Sequence, residues 1–116
     1  MEPQSNPQKE IEKLAKEYQI AQEQLRLVTL QLEQLKAQEA ELSGAKEQLE
    51  KATGKTYSSI GGIMVETDKE KALADVNDKA ELTKARLNSI NKQYTELRNK
   101  EKTLNDKITE IYKGVQ

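Results

Sequence analysis

Hydrophobic residues recur at a spacing of seven along two long stretches of the chain, and each stretch carries two such rows. The rows of the first stretch are Ile11, Tyr18, Leu25 and Leu32, and Leu14, Ala21, Val28, Leu35, Leu42 and Leu49. Those of the second are Leu73, Ala80, Leu87, Tyr94, Glu101, Ile108 and Val115, and Val76, Thr83, Ile90, Leu97, Leu104 and Ile111. This spacing, held over about five heptads, is typical of a coiled-coil seam. It predicts two long helices, at residues 7–53 and 68–113.

Capping signals flank both predicted helices. Asn6 is a suitable N-cap for the first helix, and Pro7 fits its first position. Gly54 is suited to end that helix as a C-terminal cap. Thr67, followed three residues later by Glu70, has the form of a capping box, which would begin the second helix.

Several positions depart from the two rows of the first helix. Ile20, Leu27 and Leu30 lie beside the seam and are predicted to widen the apolar stripe. Glu39 and Lys46 continue one row as polar residues, so the seam is expected to thin near the middle of the chain.

Two positions are unfavourable in their predicted places. Gly44 costs about 1 kcal/mol relative to Ala within a helix. Glu101 puts a carboxylate in the seam of the second helix. If residues 52 and 68 lie opposite each other, antiparallel pairing of the helices brings Glu101 near Tyr18. The Tyr18 hydroxyl is then predicted to donate a hydrogen bond to the Glu101 carboxylate.

Residues 55–67 lie between the helices and break the heptad pattern. Thr, Tyr, Ile and Val favour strands, and Gly61-Gly62 supplies a two-residue turn that requires positive φ. The segment is therefore predicted to form a β-hairpin. The expected cross-strand pairs are Ile60 with Ile63, Ser58 with Val65, and Tyr57 with Glu66. An isolated hairpin is marginally stable in water and has unpaired edges, so we expect it to require partners.

The two helices are similar in length and joined by a short connector, which implies an antiparallel pair in a single domain of residues 1–116. Both termini would then lie at the end away from the hairpin. The apolar side chains expected to meet there are Ile11, Leu14, Ile108, Ile111, Tyr112 and Val115. No third element covers this end, so part of the cluster should be exposed. Ile11, Leu14 and Ile108 could equally serve only to close the coiled coil, whereas Tyr112 lies outside the seam rows.

Composition narrows the possible chemistry. The 116 residues carry 34% charged side chains with a net charge of −1, and the lack of a basic stripe argues against nucleic-acid binding. The chain contains no Cys, which excludes disulfides and thiolate zinc sites, and it contains no His. No apolar run reaches membrane-spanning length and no signal-peptide core precedes the first helix, so we expect a cytoplasmic protein.

The same sequence disfavours two further interpretations, nucleotide binding and acid–base catalysis. Gly54-Lys55-Thr56 matches the end of a phosphate-binding P-loop, but that motif requires Gly where the chain has Leu49, a strand before it and a helix after it. Acidic residues alternate with Lys along the helices, which indicates solvated faces with ion pairs rather than a catalytic pair. We therefore expect no enzymatic activity and no bound cofactor or metal.

The most distinctive residues lie in the hairpin and at its flanks. They are Tyr57-Ser58-Ser59-Ile60-Gly61, Ile63-Met64-Val65-Glu66-Thr67 and Asp68-Lys69, followed by Leu87, Ile90, Leu97 and Leu104 of the second heptad series. Together they resemble the β-type subunit of prefoldin, a hexameric co-chaperone, over residues 8–113. A single hairpin is typical of the β-type subunit, whereas the α-type subunit has two.

The resemblance implies a specific assembly and activity. Hairpins of two α-type and four β-type subunits would form a double β-barrel platform, here through Tyr57, Ile60, Ile63, Met64 and Val65. The helix ends would hold unfolded polypeptides and pass them to a group II chaperonin without ATP, here through Ile11, Leu14, Ile108, Ile111, Tyr112 and Val115. The alternative is a structural coiled-coil tether or scaffold with a hairpin oligomerisation tip, which the heptads alone would equally support.

Overall fold

The computed structural model describes residues 6–115, and for Val115 it describes the backbone alone. Helix α1 spans Pro7–Lys51, strands β1 and β2 span Thr56–Ile60 and Ile63–Thr67, and helix α2 spans Lys69–Val115. The predicted mainly helical fold, with two long helices joined by a single hairpin, is confirmed. The first helix ends two residues before the predicted residue 53. The second begins one residue after 68 and ends two after 113.

Helix α1 begins as its sequence predicts. The side-chain oxygen Oδ1 of Asn6 accepts a hydrogen bond from the backbone N–H of Gln8 at 3.0 Å. The carbonyl oxygen of Asn6 accepts the first helical bond from the N–H of Glu10, also at 3.0 Å. Asn6 is therefore the N-cap and Pro7 the first helical residue, where a missing N–H carries no cost.

The end of α1 differs from the prediction, because Gly54 does not cap it. Within the described chain, positive φ occurs only at Gly61 and Gly62, so Gly54 lacks the left-handed conformation of a glycine cap. The last turn instead tightens, with the N–H of Ala52 donating to the carbonyl oxygen of Leu49 at 3.2 Å. The side chain of Lys69 then satisfies two of the remaining carbonyl groups.

The cap of α2 is Asp68 rather than Thr67. Oδ1 of Asp68 accepts the backbone N–H of Lys71 at 2.7 Å, and its carbonyl oxygen accepts the N–H of Ala72 at 3.0 Å. Thr67 is the last residue of β2, where it is paired with Thr56 in the sheet. The predicted Thr67 capping box is wrong because the strand extends to that residue, and the helix begins after it.

The packing falls into two compact units, and each contains part of both helices. The first unit comprises the chain up to Gln31 and from Ile90 onward. Three surface depressions in this unit are each lined by residues of both helices. One contains Ile11 and Tyr112, the next Tyr18 and Glu101, and the third Leu27 and Leu97. Because residue numbers rise along α1 as they fall along α2, the two helix segments of this unit are antiparallel.

The second unit comprises Leu32–Ser89, with the end of α1, the hairpin and the start of α2. Nζ of Lys69 donates to the carbonyl oxygens of Glu50 at 3.0 Å and Ala52 at 3.2 Å. The first residue of α2 therefore lies against the last turn of α1. This contact holds together the two points where the chain enters and leaves the hairpin.

The predicted heptad rows form the buried side of the helices. The row members that are buried are Ala21, Val28 and Leu104 in the first unit, and Leu32, Thr83 and Leu87 in the second. The remaining apolar members whose side chains are described are half-buried, as are Tyr18, Tyr94 and Glu101. Glu39 and Lys46 are exposed, so the predicted thinning of the seam is confirmed.

The prediction that Ile20, Leu27 and Leu30 widen the buried stripe is wrong. Their side chains are between 45% and 57% exposed. A helix covered by a single neighbour buries only the narrow seam at the two heptad rows, and residues beside that seam remain in contact with solvent. These three side chains are therefore an apolar surface rather than part of the core.

Candidate interaction surfaces

The hairpin has the predicted register and turn. Ile60 pairs with Ile63, Ser58 with Val65, and Tyr57 with Glu66. Gly61 and Gly62 have φ values of 56° and 82°, as a two-residue turn with positive φ at both positions requires. Since cross-strand partners share a face, Ile60, Ile63 and Val65 lie on one face of the hairpin, and Tyr57 and Met64 lie on the other.

The apolar side chains of the hairpin are uncovered on both faces. Ile60, Ile63 and Met64 are 63%, 67% and 65% exposed, and Tyr57 and Val65 are 51% and 45% exposed. The described sheet has only these two strands, so each strand also has an unpaired backbone edge. Exposed apolar side chains next to free strand edges are typical of a surface that pairs with another chain.

A second apolar surface lies where α1 begins and α2 ends, within the first unit. Pro7, Gln8, Ile11 and Glu12 line an open depression together with Tyr112. Tyr112 is 55% exposed. The structure therefore brings together Ile11 and Tyr112 of the predicted helix-end cluster.

The other residues of the predicted helix-end cluster contribute less to this depression. Leu14, Ile108 and Ile111 are half-buried, and none of them lines it. This placement agrees with their positions in the seam rows. The side chain of Val115 lies outside the described part of the chain.

Tyr18 and Glu101 meet as the antiparallel register predicts, because both line one polar depression with Arg98, Lys102 and other polar residues. The predicted hydrogen bond between them is wrong, since no bond joins the two side chains among those of residues 6–115. Glu101 is half-buried and keeps access to water at this open depression. Solvent contact therefore lowers the cost of a carboxylate in the seam.

The charged helix faces have the character of solvated surface. Nη2 and Nε of Arg26 donate to the two carboxylate oxygens of Glu23 at 2.6 Å and 3.2 Å. This hydrogen bond, with the attraction of the guanidinium charge, lowers the pKa of Glu23 and raises that of Arg26. A general acid at neutral pH would need a raised carboxyl pKa, so the shift at Glu23 is opposite to a catalytic one.

No group of three or more acidic side chains between residues 6 and 115 is arranged to hold a metal ion. In that part of the chain, neither helix has a stretch that is both long and apolar enough to cross a bilayer.

Comparison with known proteins identifies the family. A sequence model for the family described as "Prefoldin subunit" matches residues 8–115. The chain belongs to the prefoldin family. A prefoldin subunit beta of Pyrococcus furiosus is 36% identical over 97 residues, covering 82% of this chain and 77% of the relative. A prefoldin subunit beta of Thermoplasma volcanium is 35% identical over 100 residues, covering 84% and 81%.

A solved structure agrees with these sequence relationships. The crystal structure of the prefoldin beta subunit from Thermococcus strain KS-1 superposes with a TM-score of 0.82 at 27% identity, covering 87% of this chain and 90% of that one. The resemblance to a β-type prefoldin subunit is therefore confirmed. Such a subunit is a chaperone component and not an enzyme, and it functions in a prefoldin complex with other subunits.

The groove beside Leu27 is a surface that the sequence pattern does not predict. The signal was present, because Ile20 and Leu27 are themselves seven residues apart and lie outside both seam rows. This spacing predicts a wider core instead, because a spacing of seven shows that residues share a helix face but not what covers that face.

Proposed function

We propose that this prefoldin chain is a subunit of an ATP-independent holdase in the cytoplasm. In the proposed complex, two α-type and four β-type subunits associate through their hairpins. The helix ends capture unfolded polypeptides and the complex delivers them to a group II chaperonin. The family relationship favours this function over a purely structural tether.

The observation that carries the proposal is the depression at the helix ends. Ile11 from α1 and Tyr112 from α2 line it together, and Tyr112 is 55% exposed. An exposed apolar surface of this kind can take an apolar side chain from a chain that has not buried its own core. Gln8 and Glu12 border it and leave it accessible to water, which suits a weak and reversible contact.

Assembly would convert this weak contact into useful affinity. A hexamer presents several helix ends to one unfolded chain, and each additional contact is then intramolecular. The exposed hairpin residues Tyr57, Ile60, Ile63, Met64 and Val65 supply the proposed assembly surface. No single helix end needs high affinity, and a client can be released stepwise to a chaperonin.

The test compares the complex containing Tyr112→Gln with the wild-type complex, both reconstituted with an α-type subunit. We expect the variant to suppress aggregation of a reduced, unfolded protein several-fold less well, because each helix end loses an apolar contact. Leu82→Gln is the matched control, since Leu82 is 53% exposed but lies in the second unit. Binding to the chaperonin is measured separately.

Deletion of residues 108–116 provides the stronger variant of the same test. If assembly is intact by sedimentation, and both the deletion and Tyr112→Gln leave client capture and chaperonin binding unchanged, the helix end is structural. Clients must then bind elsewhere on the complex.

A further inference from the structure

A second apolar depression of the first unit lies between the middle parts of its helix segments. It is a groove with a volume of about 500 Å³, and its apolar lining is Leu27, Val28 and Leu97. Val28 belongs to the buried seam, whereas Leu27 is 49% exposed. None of its lining residues belongs to the helix-end depression. The groove is therefore a separate surface with an apolar wall open to solvent.

The polar lining of the groove is dominated by amides. Gln24, Gln31 and Gln93 line it, and its charged residues are Glu96 and Lys100, whose charges cancel. A glutamine amide both donates and accepts hydrogen bonds, as a peptide group does. Such a border can bond to the backbone of an extended segment whatever its sequence, and it offers no net charge to attract an acidic or basic partner.

The pattern along α1 argues against a long helix as the occupant. The row that contains Leu27 reads Lys13, Ile20, Leu27 and Gln34 at intervals of seven, so it has only two apolar members. A coiled-coil partner needs an apolar seam of about three or more heptads. A helix with its side chains is also about 10 Å across, so a groove of this volume takes about one turn.

We propose that this groove, the Leu27 groove, binds a short apolar segment of an unfolded polypeptide, through Leu27 and the glutamine amides. The proposal rests on the proposed holdase function and adds a contact site to the helix ends. Ile20 lies on the same face of α1, about 10 Å from Leu27 along the axis, and extends the apolar path beyond the groove. A client held at a helix end could thus make a second contact on the same subunit.

The experiment measures the binding of reduced, carboxymethylated α-lactalbumin, which stays unfolded, to the complex reconstituted with an α-type subunit. Leu27→Gln should weaken binding about three- to tenfold, because part of an apolar contact is lost. Leu30→Gln is the matched control, since Leu30 is 45% exposed on the same helix and does not line the groove. It should bind as the wild type does.

A second readout does not depend on lost affinity. A photo-crosslinking amino acid at Gln24, which lines the groove, should crosslink to the same unfolded protein. The same group at Gln22, which is exposed on α1 outside the groove, should not. Crosslinking at both positions or at neither would overturn the proposal.

The outcomes separate this inference from the proposed function. If the wild-type complex does not bind the unfolded protein, the holdase function itself fails. If it binds, and Leu27→Gln binds as tightly as Leu30→Gln, the Leu27 groove is not a client site while the holdase function stands. If Leu27→Gln instead changes the sedimentation of the complex, the groove is a contact between subunits and the proposal is wrong.

Discussion

Nζ of Lys69 lies 3.0 Å from the carbonyl oxygen of Glu50 and donates a hydrogen bond to it. It also donates to the carbonyl oxygen of Ala52, so one ammonium group satisfies two acceptors at the end of α1. The last carbonyl groups of a helix have no partner within the helix, and they carry the negative end of its dipole. The first residue of α2 thus supplies the cap that Gly54 does not provide.

Replacing Lys69 by Met should lower the free energy of unfolding by about 0.5–1.5 kcal/mol, because two carbonyl groups lose their charged donor. The measurement is urea unfolding followed by circular dichroism at a fixed chain concentration. Lys71→Met is the control, since Lys71 is exposed and its ammonium makes no hydrogen bond to any described residue. Equal effects of the two substitutions would show that the Lys69 contact contributes nothing specific.

Asp68→Ala should destabilise the chain by about 1 kcal/mol, because the N–H of Lys71 loses its side-chain acceptor. Thr67→Val keeps the branched shape in β2 and removes only the hydroxyl, so we expect a much smaller change. The same urea experiment compares the two. If Thr67→Val lowers the free energy of unfolding more than Asp68→Ala does, Thr67 and not Asp68 is the residue that caps α2.

Alanine at Gly44 and at Gly62 should change stability in opposite directions. Gly44 lies inside α1 with open space where a Cβ would be, so Gly44→Ala should stabilise the helix by about 1 kcal/mol. Gly62 has a φ of 82°, so Gly62→Ala should cost about 1–2 kcal/mol at the turn. Thermal unfolding of both variants tests the pair, and a stabilising effect at Gly62 would contradict the turn geometry.

Ile63→Lys should prevent assembly with an α-type subunit while the helices remain folded. Ile63 is 67% exposed in the single chain, and the proposed assembly would bury the new charge among apolar residues. Leu82→Lys is the control, because it places the same charge on an exposed apolar position of α2. Sedimentation measures the complex and circular dichroism the helices. A full-size complex with Ile63→Lys would remove Ile63 from the assembly surface.

Tyr18→Phe and Glu101→Gln should show little coupling in a double-mutant cycle, because no hydrogen bond joins the two side chains. The free energies of unfolding should add to within about 0.5 kcal/mol. A coupling energy well above that value would show that the hydroxyl and the carboxylate do bond in solution.

The sequence by itself determined the features that depend on neighbours along the chain. The heptad rows fix the side of each helix that is buried, and they led to Val28, Leu87 and Leu104 without a structure. Gly61-Gly62 fixes the turn, and the turn fixes the pairing of Ile60 with Ile63. The Asn6 cap follows in the same way, because its acceptor lies two residues from its donor.

Tertiary structure decided the features that depend on residues distant in the chain. Lys69 caps a helix whose last turn lies 17 and 19 residues before it, so no local motif identifies the contact. Leu27 is exposed because, among the described residues of its unit, α2 is the only helix that packs on α1. A spacing of seven in the sequence does not show how many neighbours a helix has. A repeat in the sequence specifies which residues share a face, whereas burial and capping depend on what the fold places against that face.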